Sequence, residues 1–325
     1  MKKILYVLLV LLAGVNFIFA EDGITDKEIL IGTCLDADGN SSWPGDGFLA
    51  GMKCYFDYVN ENGGIAGRKI KLVVKDDDYD PAKTAEHVKN LIESDKVFAL
   101  CTLSGTPCGS IAKPIIVSKK IPLIGLATGS DIFRLPPERY IFNIRGSYPQ
   151  ETEKLIDYFV NNLKIKKISI IYQNDAYGLS GLKAAISRLK TYGLQLNSKA
   201  IYDRGSEIDE EQFNLIKESN PEAVILLAVA KSTLSYFNLA KKNGFKTLLA
   251  GISPCDAYKI IEGVGSEADG MLMTQVMPNI ETSEKPRLML EFANRIEKVG
   301  GKLSFMSYEG FCNARVLGWG LEQCG

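Results

Sequence analysis

The sequence predicts an α/β protein of two successive doubly wound parallel sheets, and three observations carry that prediction. The stretch Lys96 to Asp131 reads as strand, helix, strand: Val97 to Leu103 is almost wholly apolar, Ser104-Gly105-Thr106-Pro107 turns the chain, and Ile121-Pro122-Leu123-Ile124 runs into Ala127-Thr128-Gly129-Ser130. Such a βαβ unit places two loops of small polar residues side by side. After Arg145 the same alternation of apolar strand and amphipathic helix begins again. With 325 residues, 46% of them hydrophobic, the chain can bury the core that two such units require. In a doubly wound sheet, ligands sit beyond the carboxyl ends of strands, where helix N-termini present free backbone N–H groups. Both loops lie at such ends.

Taken in order, the chain opens on Met1-Lys2-Lys3, the apolar run Ile4 to Ala13 and the weaker Val15 to Ala20, the layout of a secretory signal peptide over residues 1–20. The mature chain is expected to begin near Glu21, outside the cytoplasm; a retained membrane anchor is the alternative. No later segment approaches the ~20 apolar residues that spanning requires. Ile29 to Leu35 is a first strand. The Gly/Ser/Asn-rich loop Asp36 to Asp46 holds Trp43, read either as a packing lid or as a ring that stacks on a ligand. Phe48, Met52, Tyr55, Phe56 and Val59 then recur at helical spacing, and Gly63-Gly64 ends that helix.

Strand two is Ile70 to Lys75. The run Asp76-Asp77-Asp78-Tyr79-Asp80-Pro81 invites a metal reading, but an EF-hand loop would need Gly at Pro81 and Glu at His87. Asp80 before Pro81 instead reads as an N-cap with proline at the first helical position. Ala82, Ala85, Val88, Leu91 and Ile92 give the inward face of that helix, and Tyr140 to Ile144 a fifth strand. Arg145 to Pro149 reads as a passage between lobes. Beyond it, strands are expected at Lys167 to Gln173, Leu194 to Ile201, Ala223 to Ala228, Thr247 to Ala250 and Gly270 to Val276. Helices are expected at Gly178 to Tyr192, Glu210 to Ser219, Ser232 to Asn243, Asp256 to Gly263, Lys285 to Val299 and Ser307 to Cys324. No strand follows the last helix, so the chain is expected to stop short of a natural C-terminus.

Composition excludes several classes of partner. Net charge is −1 and Lys and Arg are scattered, so no electrostatic footprint for nucleic acid or an anionic membrane exists. Lys164, Lys166 and Lys167 read as a solvated helix end. Seven cysteines, an odd number without CxxC spacing, and a single histidine give neither a disulfide framework nor a zinc ligand set. No cofactor is expected. Enzyme signatures are also missing: there is no GxSxG, no GxxxxGK[ST] and no GxGxxG after a strand.

The segments Asn60-Glu61-Asn62-Gly63-Gly64-Ile65-Ala66-Gly67-Arg68-Lys69, Asp76 to Pro81, Gly105-Thr106-Pro107, Tyr172-Gln173-Asn174-Asp175-Ala176-Tyr177-Gly178 and Tyr308-Glu309-Gly310-Phe311 together resemble the type I solute-binding proteins of ABC importers, of the branched-chain amino-acid-binding (Leu/Ile/Val-binding)-like family. The resemblance spans about Ile24 to Gly325. It implies two Rossmann-like lobes joined by crossing hinge strands: residues 21–145 with 277–325 as the first, 146–276 as the second. It implies no enzymatic activity, a small-molecule ligand, an ABC permease in the inner membrane as partner, and a periplasmic or otherwise extracytoplasmic location. A ligand-sensing ectodomain that signals through a membrane receptor is the alternative.

Carried over by position, the resemblance places ligand contacts at Trp43, at Ser104, Gly105 and Thr106, at Ala127 and Thr128, and at Tyr177, whose ring closes over the site. Where amino-acid-binding relatives offer an aromatic residue and an acid to the ligand's ammonium, this chain has Val229-Ala230 and Ile252-Ser253. Ala230 and Ser253 are the expected contacts there, and Asp256 is the nearest acid. The solute is therefore expected to be an amino acid or a related carboxylate, with a simple carboxylate, an amide and an aromatic acid open.

Overall fold

A computed structural model describes residues 21–38 and 44–324. The expected signal peptide and Trp43 lie outside the described residues. Two five-stranded parallel sheets form the frame. The first holds β1 (Glu28–Leu35), β2 (Lys69–Asp76), β3 (Ala99–Leu103), β4 (Leu123–Ile124) and β5 (Ile141–Phe142), in the spatial order β2-β1-β3-β4-β5. The second holds β6 (Ile168–Gln173), β7 (Ser198–Tyr202), β8 (Ala223–Leu227), β9 (Leu248–Gly251) and β10 (Leu272–Met273), in the order β10-β9-β8-β6-β7. Read from its other edge, the second sheet repeats the topology of the first. The strand order in each reverses between its first and third strands, which is where a doubly wound fold opens a crevice.

Helices cover both faces, so the central strands are apolar throughout: β3, β6 and β8 are buried at every position. On one face of the first sheet lies α1 (Gly45–Glu61), whose five predicted apolar positions are all buried. On the other lie α2 (Pro81–Glu93) and α3 (Thr106–Lys119). As expected, Asp80 caps α2 by accepting from the Ala82 N–H at 2.8 Å, with Pro81 at the first position. The second sheet is covered by α4 (Tyr148–Asp157) and α5 (Ala176–Thr191) on one face, and by α6 (Glu210–Glu218) and α7 (Ala230–Lys242) on the other. Helix α8 (Ala257–Val264) rests on α7.

The remaining residues, with α9 (Arg287–Ala293) and α10 (Phe305–Cys324), return to the first sheet. Phe292, Phe311, Leu317 and Leu321 share one buried cluster with Phe48, Met52 and Tyr55 of α1.

Three expectations need correction. Arg145 to Pro149 is not simply a passage, because α4 begins at Tyr148: Ser147 accepts from Gln150 N at 3.3 Å while the Gln150 side chain accepts from Ser147 N at 2.9 Å, a capping box that starts the helix. The helix expected over Lys285 to Val299 breaks at Asn294 and resumes as a short 3₁₀ turn, Ile296–Val299. Strand β10 keeps only Leu272 and Met273 of the segment Gly270 to Val276. All seven cysteines are free thiols.

Candidate functional site

The two opening loops meet as expected. Ser104 and Ala127 are joined by a parallel bridge beyond the ends of β3 and β4. Gly105 precedes α3 with φ +40° and ψ −168°, a conformation that a side chain would disfavour. Thr106, the first residue of α3, is fully buried, and its hydroxyl lies 2.6 Å from that of Thr128, also fully buried. The Thr128 hydroxyl accepts from Ser130 N at 3.1 Å. Ser104 faces inward instead. Its hydroxyl donates to Asp77 Oδ1 at 3.1 Å and accepts from Asp36 N at 3.1 Å, tying together the ends of β1, β2 and β3.

From the second lobe, Asp175 caps α5 by accepting from Tyr177 N and Gly178 N, which fixes Tyr177 at the carboxyl end of β6. The Tyr177 hydroxyl donates to Ala228 O at 3.2 Å. Its ring packs edge-on against Tyr148, with centroids 4.9 Å apart. Tyr148, which sequence reasoning missed, is the link between lobes. Its N–H donates to Gly129 O at 2.7 Å, and its buried hydroxyl lies against the Thr128 side chain and the Gly129 backbone. Thr106, Thr128, Tyr148 and Tyr177 are thus continuous across the crevice. The available signal was an aromatic inside a Ser-x-x-Gln helix start directly after β5.

Ala230 and Ser253 are placed otherwise. Ala230 packs with Phe237 and Ile260 between α7 and α8. Ser253 is held by Glu151, which accepts from its N–H at 2.8 Å and from its hydroxyl at 2.9 Å. Direct bonds also span the crevice. Arg204 Nη1 donates to Tyr79 O at 2.9 Å and its guanidinium lies 5.6 Å from the Tyr79 ring centre. Lys259 pairs with Asp46 at 3.3 Å and Lys302 with Glu262 at 2.8 Å. Between the last two pairs is a cavity of about 260 Å³ bounded by Pro44, Asp46, Asp256 and Tyr258.

Behind the site is a buried charge network that the sequence did not reveal. Arg145 bonds the Ser253 hydroxyl through Nη2, and its guanidinium lies 3.9 Å from Glu151 and 3.7 Å from Glu309 of α10. Glu151 also accepts from the Thr274 hydroxyl at 2.8 Å. Burial raises the pKa of both Glu151 and Glu309 above the ordinary 4.5, with Arg145 opposing the shift, and burial likewise raises Asp77 and Asp256 above 3.8. A folded state that holds protons more tightly than the unfolded one loses stability as they leave. The stability these four groups contribute is complete below 3.8 to 4.5 and is lost as pH rises through their higher folded values. Tm is therefore expected to fall as pH rises above about 4.5, read by thermal unfolding from pH 4.5 upward, and Glu309→Gln should flatten the slope.

The acidic run yields one further grouping. Asp36, Asp38, Asp76 and Asp78 bring carboxylate oxygens within 4.8 Å of one another at the ends of β1 and β2. Local bonds account for much of it: Asp76 accepts from Asp38 N at 3.3 Å and from Asp78 N at 3.0 Å, and Lys83 pairs with Asp78.

Comparison with known proteins agrees with this architecture. A periplasmic binding protein family profile matches residues 28–325. An amino acid binding protein of Pseudomonas aeruginosa is 28% identical over 192 residues, 58% of this chain and 50% of that one. A Leu/Ile/Val-binding protein homolog of Brucella melitensis is 29% identical over 50% of this chain and 44% of its own, so the chain spans about half the length of these two relatives. The leucine-specific-binding protein of Salmonella typhimurium is 24% identical over 81% of this chain and 71% of that one. Among solved structures, a possible leucine/isoleucine/valine-binding protein from Rhodopirellula baltica superposes with a TM-score of 0.85 at 25% identity, covering 94% of this chain and 83% of that one. A substrate-binding periplasmic protein from Ralstonia solanacearum gives 0.84 at 28%, covering 91% and 85%. The chain belongs to the periplasmic binding protein family, with the two-lobed α/β architecture of its type I members.

Proposed function

We propose that this protein is the extracytoplasmic solute-binding component of an ABC importer, and that it captures a small carboxylate-bearing solute, an amino acid or a related acid, between its lobes. The observation that carries this reading is the Thr106–Thr128 hydroxyl pair, 2.6 Å apart at the N-terminus of α3 and continuous with Tyr148 and Tyr177 of the opposite lobe. Donors at a helix N-terminus suit a carboxylate through hydrogen bonds and the helix dipole together. The lobes are residues 21–145 with 277–325, and 146–276. That division is supported by α10 sharing a core with α1, and by β6 to β10 forming a sheet of their own. Closing the lobes over the solute excludes water, and the closed form is what the permease recognises.

Thr106→Val tests the site. Binding of the solute is expected to weaken by roughly 1 to 3 kcal/mol, because a donor is lost and an acceptor is left unpaired. Calorimetric titration reads this directly, and unchanged affinity removes Thr106 from the site. In the unmodified protein, the solute should raise Tm in proportion to the logarithm of its concentration. A panel of amino acids, amides and carboxylic acids that produces no such rise overturns the solute class.

A further inference from the structure

Resting on the two-lobe reading above, we propose that α8 is an ionic latch: its oppositely charged contacts with the first lobe hold the lobes together without solute, so that ambient ionic strength sets how much of the protein stands closed.

Helix α8 has two faces with different partners. Ile260 is buried in a cluster with Ala230, Leu234 and Phe237 of α7, and a Cβ at Gly263 would lie 2.5 Å from Leu234 Cδ2, so this face is fixed to the second lobe. Tyr258, Lys259 and Glu262, at positions i, i+1 and i+4, take the other side and reach the first lobe. Lys259 Nζ lies 3.3 Å from Asp46 in the first turn of α1, and Lys302 Nζ lies 2.8 Å from Glu262. The Tyr258 hydroxyl donates to Glu281 Oε1 at 3.0 Å, and its ring centre is 5.8 Å from that of Phe305, the first residue of α10. Asp256 aims this set by capping α8, accepting from Tyr258 N at 3.2 Å and Lys259 N at 3.4 Å. One helix of the second lobe thus meets three separate segments of the first.

Two features make this contact a latch and not a fixed joint. Charge alternates along the helix, positive at Lys259 and negative at Glu262, and the first lobe presents the opposite order at Asp46 and Lys302, so a single docking register satisfies both pairs. The pairs are also exposed: Lys302 keeps 84% and Glu262 59% of its side-chain surface open to water. Such pairs contribute modestly and are screened by salt. Helices α1 and α8 face each other across the cavity of about 260 Å³, with the Lys259–Asp46 pair at its rim. The bond from Arg204 to Tyr79 O is of a different kind, a part-buried contact to a neutral carbonyl that salt weakens less.

Small-angle X-ray scattering of the whole protein, free of added solute, tests the latch between about 20 mM and 1 M sodium chloride, over which the Debye length falls from roughly 20 to 3 Å. At low salt the radius of gyration is expected to match that calculated from this structure, and to grow as salt is added. Screening both pairs should lower the closed-to-open ratio about 2- to 30-fold, the combined effect of two exposed pairs. Lys259→Glu combined with Glu262→Lys sets like charges against Asp46 and Lys302 and is expected to open the protein at low salt. Adding Asp46→Lys and Lys302→Glu remakes both pairs in reverse and should restore the small radius, a rescue that a loss of packing would not show. A radius that ignores salt, that the first two substitutions leave unchanged, or that the second two fail to restore overturns the latch. None of these readings involves Thr106 or the solute panel, so the latch can fail while the solute-binding reading stands.

Discussion

Replacing Arg145 with methionine is expected to destabilise the protein by about 3 to 5 kcal/mol, the cost of breaking a buried ion network from one side. The guanidinium is almost wholly enclosed and joins three parts of the chain. It follows β5, it faces Glu151 of α4 and Glu309 of α10, and it bonds Ser253 beyond β9. Its removal leaves two carboxylates in a dry interior facing each other without a cation. For a protein of this size the fall in Tm is on the order of 10 °C, read by thermal or denaturant unfolding. Arg145→Lys should recover little, because one ammonium does not reach three partners from one position. Combining Arg145→Met with Glu151→Gln and Glu309→Gln should recover much of the loss, since the charges the arginine balances are then gone. A triple variant as unstable as the single one would assign the loss to packing over the Tyr148 ring, 5.7 Å from the guanidinium.

That network marks the boundary of what the sequence disclosed. Repeated βα alternation and fully apolar strands revealed both sheets, because burial on two faces leaves a local signature in the residues themselves. The loops at Ser104 to Thr106 and Ala127-Thr128 were legible for the same reason: small polar residues directly after a buried strand have few other roles. Arg145, Glu151, Ser253 and Glu309 come from four separate segments, and nothing local to any of them announces the others. Tyr148 is hidden in the sequence because Arg145 to Pro149 reads as a crossing between lobes, although Ser147 and Gln150 spell a capping box. Ser104 was correctly placed in the loop, yet its hydroxyl binds Asp77 and Asp36 of its own lobe, a pairing across 27 and 68 residues of chain. Long-range partners, not element types, are what the sequence withheld.

The segment Tyr308-Glu309-Gly310-Phe311 gives the second large effect: Gly310→Val is expected to displace α10 from α1 and to destabilise the first lobe by more than about 3 kcal/mol, beyond ordinary overpacking. A Cβ at Gly310 would lie 2.2 Å from Phe48 O, and one at Gly51 would lie 1.9 Å from Ser307 O, so the two helices meet backbone to backbone. Neither contact can be relieved by turning a side chain. The helices must separate, and with them the edge contact of Tyr55 and Phe311, whose ring centres are 5.6 Å apart. Gly320 supplies the control on the same helix, because a Cβ there meets nothing within 4 Å. Glycine inside a helix costs roughly 0.5 to 1 kcal/mol relative to alanine, so Gly320→Ala should raise Tm while Gly310→Ala lowers it. Opposite signs from one substitution at two glycines of one helix would show that close approach to α1, not helix propensity, requires Gly310. Because Glu309 precedes it, a shift of α10 also withdraws a carboxylate from Arg145. Gly310→Val is therefore expected to flatten the dependence of Tm on pH as Glu309→Gln does, a readout that a purely local loss of packing would leave unchanged.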